Sequence, residues 1–111
     1  MIVAEADGRV AGYASLSVFR TKPAYAGTAE SSVYVDRCCQ RRGIGKALME
    51  DLLKLAGDLG YHAVVTGITG GNEASVRLHL ELGFTYVGRF REVGRKFGQW
   101  QDVDFYQLIL G

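Results

Sequence analysis

Apolar and polar residues follow periods that change along this chain, and those changes predict its elements. Met1 to Glu5 and Val10 to Phe19 are apolar runs flanking Asp7-Gly8, a dipeptide favoured in two-residue hairpin turns, so they predict two antiparallel strands. Arg20 to Gly27, which holds the single proline Pro23, reads as a loop. Thr28 to Asp36, rich in β-branched and aromatic residues, reads as a third strand. The polar Arg37 to Arg42 leads into a helix over about 43–59, where Ile44, Leu48, Leu52, Leu55 and Leu59 make a core-facing stripe and Gly57 or Gly60 ends it. His62 to Thr66 is short and very apolar, a central strand parallel to the third through the helical crossover.

The next segment carries two patterns. Val76, Leu78, Leu80, Leu82 and Phe84 alternate with polar residues or glycine, which is the period of a strand. Asn72 as an N-cap, Glu73 in a first turn, Gly83 as a terminator and mostly unbranched leucines favour a helix over 73–82. Thr85 to Arg91 and Val103 to Leu110 read as two further strands joined by a loop with glycine and aromatic residues. The expected architecture is α/β, a mixed twisted sheet with both helices packed on it, in one domain over 1–111.

Composition narrows the function. Hydrophobic residues at 48% and charged residues at 23% describe an ordinary globular chain, and a net charge of +1 argues against duplex nucleic acid as a partner. No apolar run is long enough to cross a bilayer, and the first residues do not resemble a signal peptide. Cys38 and Cys39 are adjacent and have no third partner, so no disulfide framework is implied; His62 and His79 are not spaced with them as metal ligands. No metal and a reducing cytoplasm are the expectations.

Chemistry enters at Gln40-Arg41-Arg42-Gly43-Ile44-Gly45-Lys46-Ala47-Leu48. A strand feeding a glycine-spaced turn that opens a helix presents unpaired amide N–H groups and the positive end of the helix dipole to an anion. Arg41, Arg42 and Lys46 add charge-assisted donors. The competing reading is a glycine-containing turn before a solvated helix. From the residues alone, Glu30 is either a carboxylate that does proton chemistry or a solvated one at a strand start, and His79 is either a site residue or a satisfied core histidine.

The Gln40–Gly45 loop and the Asn72–Phe84 block have the order and spacing of the GNAT acetyltransferase superfamily, whose pyrophosphate loop and Asn-to-Leu-Gly-Phe helix they resemble. Glu30-Ser31-Ser32-Val33-Tyr34-Val35, then Ser75-Val76-Arg77-Leu78-His79, then Lys96-Phe97-Gly98 with Trp100-Gln101-Asp102-Val103 resemble its phosphinothricin acetyltransferase branch. These motifs lie in register from Ala4 to Gln107 and favour the helix over 73–82. The resemblance implies acetyl-CoA as co-substrate. The backbone at Val33, Tyr34 and Val35 would bond the pantetheine arm, and Gln40, Arg41, Arg42, Gly43, Ile44, Gly45 and Lys46 would hold the pyrophosphate. Asn72, with Ser75 near it, would contact the pantetheine. Glu30 is implied as the general base and His79 as an alternative base or a proton donor to the leaving thiolate.

On the acceptor side the resemblance points to Arg20, Lys22, Tyr25, Tyr34, Lys96 and Val103, groups suited to a small amino acid such as phosphinothricin or a methionine sulfone or sulfoximine. Family members begin with a strand and two helices ahead of the hairpin that starts here at Met1, so the chain is expected to be N-terminally truncated relative to the family. An exposed first strand, a homodimer and impaired catalysis are the expectations that follow. A non-catalytic acyl-CoA-binding module or subunit is the alternative to an enzyme.

Overall fold

The computed structural model describes residues 1–6, 8–36 and 43–111. Strands β1 (Ile2–Ala6) and β2 (Arg9–Val18) form the expected hairpin, and a short 3-10 turn over Pro23–Tyr25 interrupts the loop before β3 (Thr28–Val35). Helix α1 (Ile44–Asp58) crosses to β4 (Ala63–Thr69), helix α2 spans Glu73–Glu81, and β5 (Thr85–Lys96) and β6 (Gln99–Ile109) close the chain. Among the described residues the strands form one sheet in the order β1-β2-β3-β4-β6-β5. A parallel pair needs a crossover, and β3 with β4, joined through α1, is the parallel pair among the described strands; the other neighbours run antiparallel.

The core lies on one face of the sheet. Leu48, Met49, Leu52 and Ala56 of α1 are buried against Ala14, Val64, Ile68 and Tyr106 from the strands, with Phe84 closing the cluster. Val33 and Val35 of β3 join this layer, and so do Val76, Leu78 and Leu82 of α2. Strand alternation sends Glu30, Tyr34, Val65 and Phe105 to the opposite face, which is half-buried to exposed.

Several boundaries differ from expectation. The buried stripe of α1 runs through Met49 and Ala56, and Leu59 is 63% exposed because the helix ends at Asp58, one residue before it. Gly57 is helical, so Gly60 is the glycine beyond the end. β4 continues past Thr66 to Thr69, through Gly67, which a strand pattern disfavours. The loop expected between Arg91 and Val103 is instead a long hairpin, turned at Phe97-Gly98 with φ of 53° and 75°. Two residues in the left-handed region make the turn that matches strand twist, a conformation that phenylalanine seldom adopts and that its sequence does not signal. Trp100 is 58% exposed under the Arg95 guanidinium, which lies 5.4 Å from its ring.

Two glycines test the packing in opposite directions. A Cβ at Gly12 would collide with the backbone oxygen of Tyr34 on the adjoining strand, which cannot move aside as a side-chain tip can. Gly12→Ala should therefore cost about 1–3 kcal/mol. A Cβ at Gly57 meets open space on a helical backbone, so Gly57→Ala should stabilise by about 0.4–1 kcal/mol. Urea unfolding midpoints of the two variants check both signs.

Candidate active site

β3 and β4 pair only where Thr28, Ala29 and Glu30 lie beside Ala63, Val64 and Val65. Beyond that point β3 runs on to Val35 and β4 to Thr69 without pairing with each other, and a polar cleft of about 290 Å³ fills the gap. Residues 30–33 form one wall and residues 66–69 the other; Asn72, Ser75 and His79 of the α2 region border it, as does Lys96 at the end of β5. Among the described residues the Thr66 hydroxyl links the parting strands, donating to the Ser31 carbonyl at 3.3 Å.

Among the described residues nothing covers the start of α1. Gly43 is exposed at φ 75°, and a Cβ there would meet nothing within 4 Å. Among the described residues no side chain caps this helix, and its first turn carries no acidic residue. Gly45 is half-buried, and a Cβ on it would touch Val35 and Leu78 at 3.5 and 3.4 Å, so it also lets α1 approach β3 and α2. Ile44 packs on the core, and Lys46 is exposed. Gln40, Arg41, Arg42, Cys38 and Cys39 lie outside the described residues.

Asn72 serves two purposes. Its Oδ1 accepts the Ser75 N–H at 3.2 Å and caps α2, which leaves the amide NH2 for the cleft that Asn72 borders. His79 is 1% exposed and packs edge-on against Phe84, 5.0 Å between ring centres. Its Nδ1 lies 2.7 Å from the Ser75 carbonyl oxygen. A carbonyl only accepts, so Nδ1 carries the proton and Nε2 presents a lone pair. Burial pushes the His79 pKa below its ordinary value, against a smaller upward pull from the Ser75 carbonyl. The residue is thus both a core histidine, as one reading of the sequence held, and a neutral proton acceptor beside the cleft.

The acceptor-side residues do not gather into one place. Lys96 borders the cleft with Glu30, and Val103 lies beside Gly67, where an added Cβ would come within 3.1 Å of it. Arg20 instead lines a second, largely apolar cavity of about 390 Å³ with Phe19, Val65, Phe90 and Phe105. Its guanidinium stacks 4.2 Å from the Phe19 ring and donates to the Phe19 carbonyl. Arg89 lines that cavity too, but its charge is matched by Asp104 at 2.7 Å, a contact that holds the Asp104 carboxyl below the ordinary carboxylate range. Tyr25 packs edge-on against Phe19, Lys22 is exposed at the start of the 3-10 turn, and both lie outside the two cavity linings. The Tyr34 ring is 52% exposed and pairs with Tyr13 at 5.5 Å.

Sequence reasoning passed over Thr66 and Thr69. The one available signal is a pair of hydroxyls in an otherwise Val/Ile strand; that they face a gap depends on where β3 and β4 part.

Because its pKa is lowered by folding, His79 binds a proton more readily in the unfolded chain. Its contribution to stability is complete above the unfolded value and is lost as pH falls through the folded one. Between about pH 7.5 and about pH 5.5 the wild type should lose stability that His79→Leu does not lose, read as the change in urea midpoint. An identical pH slope in both proteins contradicts the assignment.

The comparisons with known proteins agree with this geometry. The acetyltransferase (GNAT) family model matches residues 1–84. An L-methionine sulfoximine/L-methionine sulfone acetyltransferase from Salmonella typhimurium is 43% identical over 110 residues, covering 99% of this chain and 64% of the relative. A phosphinothricin N-acetyltransferase from Streptomyces coelicolor is 46% identical, covering 91% and 59%. The crystal structure of a GNAT superfamily phosphinothricin acetyltransferase from Sinorhizobium meliloti in complex with AcCoA superposes with a TM-score of 0.91 at 38% identity, covering 98% of this chain and 60% of that one. The chain therefore spans less than two thirds of the length of these relatives. A family match over three quarters of its residues, on a sheet that parts at its one parallel pair, means that this chain belongs to the acetyltransferase (GNAT) family.

Proposed function

We propose that the protein is an acetyl-CoA-dependent N-acetyltransferase acting on the amine of a small amino-acid-like acceptor, of the phosphinothricin or methionine sulfone/sulfoximine type. The observation that carries this reading is the cleft between β3 and β4, bordered by both Glu30 and His79. The curated relatives named for those acceptors support the substrate class.

The residues present fit the co-substrate. The amides at the open start of α1, Gly43 to Lys46, would hold a diphosphate. The extended edges at Val33 to Val35 and Thr66 to Thr69, with the Asn72 amide, would accept the pantetheine arm. Acetyl-CoA supplies an acetyl thioester, activated for transfer to nitrogen. What the chain must supply is proton handling. An ammonium that becomes an amide N–H gives up two protons, of which one ends on the free thiol and the other in solvent. Glu30, half-buried on the open face of the sheet, is positioned to pass one to water. His79 starts neutral with Nε2 as an acceptor, so it takes a proton before it can give one to sulfur. Base and donor are then successive states of one residue.

Lys96, on the cleft, and Arg20, in the neighbouring cavity, are the cations best placed for an acceptor's acidic groups. Tyr34 and Val103 stay in the proposed acceptor set, with Lys22 and Tyr25 at its margin. The proposal includes a homodimer, supported by exposed Tyr86, Val87 and Phe90 on the edge strand β5. It also includes a cytoplasmic setting; among the described residues no helix is long and apolar enough to cross a membrane.

The separation of Arg20 from the cleft favours a second reading, a non-catalytic acyl-CoA-binding module. Glu30→Gln discriminates the two. Turnover on an amine panel, followed by free-thiol release, should fall about 10²–10⁴-fold with little change in acetyl-CoA affinity. A wild-type protein that binds acetyl-CoA yet releases no thiol with any amine supports the module.

A further inference from the structure

Two polar side-chain atoms buried in the described structure have no hydrogen-bond partner, the Ser31 hydroxyl and His79 Nε2. Ser31 is 3% exposed and His79 1%, and both residues border the same polar cleft. An unsatisfied buried polar group destabilises a fold, so two on one cavity call for a common explanation. They do not bond each other directly. Nε2 needs a donor, since Nδ1 already gives its proton to the Ser75 carbonyl. The Ser31 hydroxyl can donate and can accept. The space between the parting strands is polar and larger than one water requires, and a buried water takes about three polar partners.

We propose that an ordered water in the cleft joins the Ser31 hydroxyl to His79 Nε2, which makes Ser31 the positioning residue that holds the His79 lone pair toward the site. The backbone of Ser31 is tied separately, its carbonyl receiving the Thr66 hydroxyl, so the side chain is left for this task. Its neighbour Glu30 turns to the opposite face, so adjacent residues of one strand serve the two proton acceptors from the two sides of the sheet. The charged groups that border the cleft with His79 are Glu30 on β3 and Lys96 on β5; Asn72 and Ser75 face it from the start of α2 and Thr66 from β4, while Phe84 covers the ring. The consequence for catalysis rests on the acetyl-transfer reading above; the hydrogen bond itself does not.

Nitrogen NMR of the ¹⁵N-histidine-labelled protein reads the bond without any reaction. The wild type should show His79 protonated at Nδ1, with Nε2 shifted as a hydrogen-bonded acceptor. Ser31→Ala should move the Nε2 signal toward that of an unbonded nitrogen and leave the Nδ1 signal in place, in a protein that still melts in one cooperative step at a somewhat lower temperature. Ser31→Thr, which keeps the hydroxyl, should restore the wild-type shift. An Nε2 signal unchanged in Ser31→Ala, or a wild-type His79 protonated at Nε2, overturns the proposal. In turnover, Ser31→Ala should lower kcat about 10-fold with the KM for acetyl-CoA unchanged. If the wild type shows no turnover while the NMR result holds, the acetyl-transfer reading falls and the assignment of Ser31 stands.

Discussion

The structure depends on a pairing that stops. Backbone N–H and C=O groups in a sheet must find partners, and at the centre of this one β3 and β4 provide them for each other only as far as Glu30 and Val65. From there the two strands present facing edges across a polar gap. The Thr66 hydroxyl answers the Ser31 carbonyl across this gap. The feature that weakens the sheet is thus the one that opens a polar cleft in it. Stability comes from the layer beneath, where α1 buries Leu48, Met49, Leu52 and Ala56 against strands on both sides of the parting. Gly12 and Gly45 let backbone and helix come close enough to keep that layer tight.

His79 shows how packing and chemistry coincide. Its ring fills space against Phe84, which is reason enough for a large flat residue at that point of α2. The same burial keeps it neutral, and the Ser75 carbonyl one helical turn earlier fixes which nitrogen holds the proton. A tyrosine or leucine could fill the space, but neither would carry a basic ring nitrogen there. Asn72 follows the same economy: one end of its amide starts α2 while the other is left for the site.

Much of this was legible in the chain. The Asp7-Gly8 hairpin, the three- and four-residue repeat of α1 and the Asn72 cap of α2 are local signals, and with the strand patterns they place both helices and five strand starts close to where they lie. The parallel relation of β3 and β4 was legible too, because a helical crossover imposes it. What was not legible depended on partners distant in sequence. Gly67 sits inside a strand because Val103 and Phe105 cover the place a side chain would take. Phe97 adopts a left-handed turn because two long strands on either side demand it. Arg20 was grouped with Lys96 by resemblance, yet the sheet order sets Arg20 among Val65, Phe90 and Phe105 and leaves Lys96 on the cleft. The buried, unanswered hydroxyl of Ser31 had no signature at all, since one serine beside another in a strand looks like surface.

The parting of β3 and β4 as the acyl-CoA site can be tested directly by amide hydrogen exchange, comparing the free protein with protein saturated in acetyl-CoA. Protection should rise in three separated stretches, residues 31–35, 66–69 and 43–46, while β1 and the tip of the β5–β6 hairpin exchange as before. Protection that spreads evenly over the sheet, or that ATP reproduces in full, would contradict the account.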